Sequence, residues 1–193
     1  MGKFILGVLV TLIMLVIGVY CFFALGLAPV ATASPAMPFE KKLAKLGLNK
    51  RIEKEMPKNP PNIQMDDAAY QAAANIYKDD CAFCHGLPNQ KRPPAATGMY
   101  PRPPQLFQDK GVTDDEPGEI YWKVANGIRL TGMPAYKPSR NDQQLWQVTM
   151  LLKNADKLPQ SSQQVLGGVI GQVAPAPALD KAGDDDHDHM PKK

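Results

Sequence analysis

The chain has few side chains of the kinds that form disulfides or bind zinc: among 193 residues it has only three cysteines and three histidines. His187 and His189 lie in an acidic C-terminal stretch, and Cys21 lies in an apolar run. A structural zinc site needs four ligands. Cys81 and Cys84 would supply two of them, and the other cysteine and the two tail histidines do not provide the remaining two. The formal net charge is only +3, which does not suggest nucleic acid as a partner.

Proline, in contrast, is abundant: the chain has 19. The prolines cluster at 57–61, 88–104 and 175–177, which predicts extended or turn-like backbone there. The 193 residues allow one domain or two small ones.

The segment from Cys81 to His85 has the form C-x-x-C-H, which is typical of a c-type haem attachment site. In such a site both thiols bond to the haem, and the histidine reaches the iron as the proximal ligand. A thioredoxin-like redox pair would follow a strand, whereas this motif follows a helical stretch. The motif predicts one covalent haem c bound by Cys81, Cys84 and His85. Only Cys21 is then left, so no disulfide framework is possible.

From Phe4 to Val30 the sequence contains no charged residue. A membrane-spanning helix needs about 20 residues, whereas the apolar part of a signal peptide has about 7–15. The A-x-A form of Ala31 to Ala33 nevertheless fits a cleavage site. We expect residues 1–30 to remain as a single transmembrane anchor.

Residues 31–65 are expected to form a juxtamembrane helix and a proline-rich linker. The helix, over 39–56, has Leu43 and Leu46 on one face. Its basic side chains either attract anionic lipid or belong to a solvated spacer, and the sequence leaves both interpretations open.

Residues 66–158 are the expected haem domain. Asp66 and Asp67 are candidate N-cap residues for an alanine-rich helix that ends near Cys81. Four residues should form its inward face: Tyr70, Ala73, Ala74 and Tyr77. A loop without regular structure should follow over 86–107, with a carbonyl near Pro103 and Pro104 accepting the second ring N–H of His85.

Two more helices are predicted in this domain. One begins between Asp114 and Pro117 and ends at Asn126-Gly127. The other runs from Asn141-Asp142 to about Ala155, with Trp146 as a core aromatic residue packed on the first helix.

Met133 lies between Gly132 and Pro134 in the loop that joins these two helices. A thioether there could occupy the sixth position of the iron. Met150 falls within a helix, and Met99 falls in the loop needed on the proximal side, so Met133 is the predicted distal ligand.

Residues 159–193 have the composition of a disordered tail. The segment 165–170 is apolar enough to pack on a partner, and the Asp/His cluster at 184–189 could bind a divalent metal weakly. A solvated terminus is the interpretation that the composition favours.

Residues 66–158 resemble a class I cytochrome c in their helix ending in C-x-x-C-H, Pro-rich loop, Asn-Gly helix end and Gly-Met-Pro loop. The N-terminal anchor resembles that of membrane-bound bacterial members. The resemblance implies an all-α domain around one haem with His85 and Met133 as axial ligands. One departure is Ala73, where the family often has glycine.

The resemblance further implies a one-electron carrier, not an enzyme, on the periplasmic side of the bacterial inner membrane. Charge alone leaves the orientation open, because Lys3 and the basic residues after the anchor favour opposite topologies. Partners would be membrane redox complexes: a quinol-oxidising complex, a terminal oxidase or a reaction centre. No nucleic acid and no small-molecule substrate are expected.

Two alternatives to a free carrier stay open. One is a fixed haem subunit of a larger respiratory or photosynthetic complex. The other is a five-coordinate haem enzyme or sensor, which would need Met133 to be off the iron. Four residues are candidates for hydrogen bonds to the haem propionates: Arg102, Trp122, Arg129 and Tyr136.

Overall fold

The computed structural model describes residues 1–108 and 111–167, and over this part of the chain it contains helices and no strand. Two compact units are present, Met1–Lys41 and a second that begins at Lys42. The predicted all-α fold is confirmed. The helices are α1 Gly2–Ala24, α2 Glu40–Glu55, α3 Asp67–Asp80, α4 Ala82–His85, α5 Pro94–Thr97, α6 Pro117–Asn126, α7 Asp142–Lys153 and α8 Gln160–Val165.

Helix α1 is the one helix in the described ranges that is long and apolar enough to cross a membrane. Its 23 residues exceed the roughly 20 that span a bilayer. Thr11 donates its hydroxyl to the carbonyl of Gly7 at 2.9 Å, so this polar group is satisfied within the helix. The helix is therefore consistent with a single-pass membrane anchor.

Local capping explains why α3 and α7 begin where they do. Asp66 Oδ1 accepts a hydrogen bond from the backbone N–H of Ala69 at 2.8 Å. Asn141 and Gln144 form a reciprocal capping box at the start of α7. Each arrangement satisfies donors that a helix N-terminus otherwise leaves unpaired, and both N-termini agree with the sequence prediction.

The core of the second unit forms where α3 packs against α7 and α8, and where α7 packs against α6. Ala73, Ala74 and Tyr77 are fully buried on the predicted inward face of α3. Ala73 belongs to the same buried hydrophobic cluster as Leu145 and Val148 of α7. Trp146 is buried as predicted, and its ring stacks on Tyr121 of α6, with centroids 4.2 Å apart.

The C-terminal end of α2 is buried, which the sequence did not predict. Ile52 is completely buried and Met56 is 6% exposed, whereas Leu43 and Leu46 are mostly exposed. The end of the helix, and not the leucine face, is therefore the part that is buried in the second unit.

Two contacts attach the end of α2 to α6. The indole N–H of Trp122 donates to Glu55 Oε2 at 3.3 Å. The Pro57 carbonyl approaches Gly118 so closely that a Cβ atom there would lie 2.1 Å from the oxygen. Residues 42–57 thus belong to the same compact unit as the predicted haem domain.

Two further segments differ from the sequence prediction. The loop expected over 86–107 contains the one-turn helix α5, which has proline in its first turn. The tail expected from residue 159 begins instead with α8, because α8 packs on α3 and buries Leu166 and Ser162. The Asp/His cluster at 184–189 lies outside the described residues.

Candidate haem-binding site

Three predicted haem-binding residues lie on one short turn at the end of α3. Cys81 is the C-cap of α3 and the N-cap of α4, and His85 is the last residue of α4. The N–H groups of Cys84 and His85 both donate to the carbonyl of Cys81, at 3.1 and 2.9 Å. Since residues at i, i+3 and i+4 of a helical turn share a face, the turn brings both sulfurs and the imidazole together.

The orientation of His85 is fixed by a backbone carbonyl. Its Nδ1 lies 2.7 Å from the carbonyl oxygen of Pro104, so Nδ1 carries the proton and donates. This confirms the expectation that the Pro103-Pro104 stretch supplies the acceptor. The other ring nitrogen, Nε2, therefore carries the free lone pair.

Burial lowers the pKa of the His85 imidazole, the hydrogen bond to Pro104 opposes the shift, and the positive charge of Arg92 adds to it. A histidine with a lowered pKa is neutral at physiological pH. Neutral imidazole is the form that binds a metal ion, so its protonation state fits an axial ligand.

Side chains tie the loop after His85 to the surrounding structure. Arg92 donates from Nη1 to the carbonyl of Pro103 at 2.6 Å. Tyr77, on the inward face of α3, donates its hydroxyl to the carbonyl of Gly86 at 2.7 Å. These bonds hold both ends of the segment that presents the Pro104 carbonyl to His85.

The Cys81 thiol does not have the electrostatics of a reactive redox cysteine. Burial raises the pKa of Cys81 to about 12, and the neighbouring Asp80 adds to the shift. Reactive cysteines of thioredoxin-like motifs have lowered pKa values instead. Within residues 1–108 and 111–167, no group of three or more His, Cys, Asp and Glu side chains is placed so that it could hold a metal ion.

The loop that carries Met133 is held closely against the end of α6. Gly127 ends the helix with φ of +65°, and a Cβ there would lie 2.6 Å from the Pro134 carbonyl carbon. Within the loop, the Met133 N–H donates to Thr131 Oγ1 at 3.1 Å, and the Met133 carbonyl accepts from Ile128 at 3.2 Å. Only glycine at position 127 allows this approach.

Beyond Met133 the chain remains bonded to α6. The N–H groups of Tyr136 and Lys137 donate to the carbonyls of Val124 and Ala125, each at 3.1 Å. Met133 itself is partly buried against the hydrophobic core. The same core is contacted by Cys81 and Tyr136.

Met99 occupies a position that sequence reasoning missed. A Cβ on Gly132 would lie 3.2 Å from Met99 Sδ, so this sulfur is close to the Met133 loop. Because Met99 follows His85 closely in the sequence, we expected it in the loop on the proximal side of the haem. No local sequence pattern indicates that the segment around Met99 lies next to the loop that carries Met133.

Trp122 and Tyr136, two of the four propionate candidates, donate hydrogen bonds to other groups of the protein. Trp122 donates to Glu55, and the hydroxyl of Tyr136 donates to the carbonyl of Asp80 at 2.5 Å. Arg102 and Arg129 are exposed.

Residues 68–150 match the family described as cbb3-type cytochrome c oxidase, subunit III. This domain is a cytochrome c. The matched region begins in α3 and ends in α7, and it includes the C-x-x-C-H turn and the Met133 loop. A cytochrome c domain implies haem binding and electron transfer, and the resemblance inferred from the motifs is confirmed at this level. No curated protein matches the chain.

The side chains present in the cytochrome c domain fit a c-type haem. Two thiols on one face of a turn can form thioether bonds, and a neutral, oriented imidazole can bind iron. Cys81 and Met133 are both partly buried against the same hydrophobic core.

Proposed function

We propose that this cytochrome c domain is a one-electron carrier whose single haem is attached to Cys81 and Cys84 and ligated by His85 and Met133. The observation that carries the proposal is the 2.7 Å contact between His85 Nδ1 and the Pro104 carbonyl. That contact leaves Nε2 for the iron and raises its basicity as a ligand. When bound, the haem supplies an iron centre that accepts and releases one electron.

Met133 completes the proposed ligand set. Thioether ligation favours reduced iron and raises the reduction potential, and it leaves no position open for substrate. Two features of the loop that carries Met133 support the proposal. The backbone of Met133 and Pro134 packs closely against Gly127, and the N–H of Tyr136 donates to the carbonyl of Val124 in α6. An electron carrier, not a haem enzyme, follows from a fully ligated iron.

We further propose that α1 spans the bacterial inner membrane once and holds the haem domain on the periplasmic side. A tether confines the carrier to the membrane surface and so raises its effective concentration near membrane redox complexes. The length and composition of α1 support this tethering.

The partner class that the family match supports best is a respiratory oxidase complex. The matched family is named for a subunit of such a complex, so a fixed subunit of an oxidase is the second candidate function. A quinol-oxidising complex or a photosynthetic reaction centre are the other proposed partners. Blue-native electrophoresis of detergent extracts separates a free carrier from a complex subunit.

A potentiometric titration of the purified full-length protein tests the carrier function. We expect a single haem that titrates with a one-electron slope, and reduced protein that does not bind carbon monoxide. Carbon monoxide binding to the untreated reduced protein would instead identify a five-coordinate haem and would favour the enzyme or sensor.

A further inference from the structure

Three hydrogen bonds converge on Asp80, the last residue of α3. Arg140 donates from Nε to one carboxylate oxygen at 2.7 Å and from Nη2 to the other at 2.9 Å. The Tyr136 hydroxyl donates to the Asp80 backbone carbonyl at 2.5 Å. Bidentate arginine–carboxylate pairs are stronger and more directional than single ion pairs.

These bonds connect the two segments that carry the proposed haem ligands. Asp80 immediately precedes Cys81, the first attachment residue. Tyr136 and Arg140 lie just after Met133, on the chain that leads into α7. Burial raises the pKa of Tyr136 to about 12, so its hydroxyl remains a donor at neutral pH.

An acidic residue at this place would otherwise be unfavourable. The C-terminal end of a helix carries partial negative charge, which repels carboxylates. Asp79 and Asp80 both lie at the end of α3, and Arg140 is the cation that pairs with Asp80. The pair is also shielded from water, since the Arg140 and Asp80 side chains are only 26% and 19% exposed. A pair of this kind contributes more than an exposed one.

Tyr136 is held at two ends. Its N–H donates to the Val124 carbonyl of α6, and its hydroxyl donates to Asp80 at the end of α3. The link from Tyr136 back to Met133 is short and includes Pro134, whose φ angle is fixed. Because this link is short and restricted, a displacement of Tyr136 would also displace the Met133 sulfur.

We propose that Asp80, Tyr136 and Arg140 form a clasp that positions the Met133 thioether and sets how readily this ligand leaves the iron. The inference rests on the proposed function, because it requires Met133 to be the distal ligand. The three are positioning residues, since their described contacts are with protein groups. In this role they determine how firmly Met133 is held on the iron, in addition to any effect that they have on the stability of the helices.

The test is a denaturant titration of the full-length ferric holoprotein, followed by two signals. The sulfur-to-iron charge-transfer band reports Met133 ligation, and far-ultraviolet circular dichroism reports the helices. The variants are Tyr136→Phe, which removes one hydroxyl, and Arg140→Gln, which removes the charge and the bidentate pair. Arg140→Lys keeps the charge without the bidentate geometry.

In Tyr136→Phe and Arg140→Gln, we expect the band to disappear at lower denaturant concentration than the helical signal. The equilibrium constant for loss of Met133 should rise at least about tenfold in Arg140→Gln, which loses charge-assisted hydrogen bonds, and about two- to tenfold in Tyr136→Phe, which loses a neutral one. Arg140→Lys should be intermediate. The matched control is Lys153→Gln, which removes two hydrogen bonds, to the carbonyls of Thr113 and Asp115, outside the clasp. In this control both signals should shift together.

If the band and the helical signal shift together in Tyr136→Phe and Arg140→Gln, as in the control, the clasp proposal is wrong while Met133 remains the ligand. If the wild-type ferric protein has no charge-transfer band, Met133 is not the ligand and both proposals are overturned.

Discussion

The carbonyl oxygen of Pro104 lies 2.7 Å from Nδ1 of His85, although 18 residues separate them in the chain. The loop between them therefore returns to the turn from which it starts. Its last residues fix the tautomer of a partly buried imidazole, as the proposed role of His85 as an iron ligand requires.

Met133→Ala should abolish the sulfur-to-iron charge-transfer band, lower the reduction potential and allow the reduced protein to bind carbon monoxide. The haem should remain attached, since both thioether bonds are intact. Absorption spectra and a redox titration measure these changes.

Met99→Ala is the matched control for that variant, because the Met99 sulfur lies next to Gly132 of the same loop. We expect it to keep the band and to stay closed to carbon monoxide. If Met99→Ala loses the band while Met133→Ala keeps it, the distal ligand has been assigned to the wrong methionine.

Gly127→Ala should weaken Met133 ligation strongly. The new Cβ would lie 2.6 Å from the Pro134 carbonyl carbon and 2.8 Å from the Met133 carbonyl oxygen, on a backbone with φ of +65°. Unfavourable φ values cost about 1–3 kcal/mol, and the steric overlap adds to this. Thermal unfolding and the charge-transfer band measure the two effects.

Gly47→Ala controls for the general effect of replacing glycine, because its Cβ would meet no atom within 4 Å and it lies in α2. This change should raise stability by about 0.5–1 kcal/mol. A Gly127→Ala protein as stable as wild type, with its band intact, would contradict the described loop geometry.

Gly118→Ala should detach the end of α2 from α6. Its Cβ would lie 2.1 Å from the Pro57 carbonyl oxygen, and a backbone oxygen cannot move aside as a flexible side chain can. Detachment would expose Ile52 and Met56, whose burial contributes about 1.5–3 kcal/mol each.

Limited proteolysis measures this detachment. Cleavage within 42–65 should be faster in Gly118→Ala than in wild type, whereas Gly47→Ala should not accelerate it. Equal cleavage of wild type and Gly118→Ala would show that the helix end does not dock there.

Cys84→Ser should impair haem attachment, since one of the two thioether bonds can no longer form. We expect a lower yield of haem-containing protein and a pyridine haemochrome spectrum shifted towards that of a haem with one free vinyl group. An unchanged yield and spectrum would remove Cys84 from the attachment site.

The parts of the fold that the sequence predicted are those with local signals. Asp66 and Asn141 cap their helices by contacts three residues away, and the buried face of α3 follows a helical period. The His85 acceptor was also predictable, because prolines restrict the loop and supply a carbonyl without a competing donor.

The remaining parts depend on contacts between distant positions. The approach of Pro57 to Gly118 joins residues far apart in sequence, and neither residue has a pattern that reveals it. The pair formed by Asp80 and Arg140 spans 60 residues. Helix α8 has a polar composition, and it is the packing of Leu166 against the core that explains its position.

The most direct test of the whole account is whether haem is covalently bound. The full-length protein, produced with a working haem-maturation system, is extracted with acidified organic solvent, and the polypeptide fraction is assayed as its pyridine haemochrome. We predict that one haem per chain stays with the polypeptide, with the spectrum of two thioether bonds. A colourless polypeptide, or haem that moves entirely into the solvent, would contradict the account.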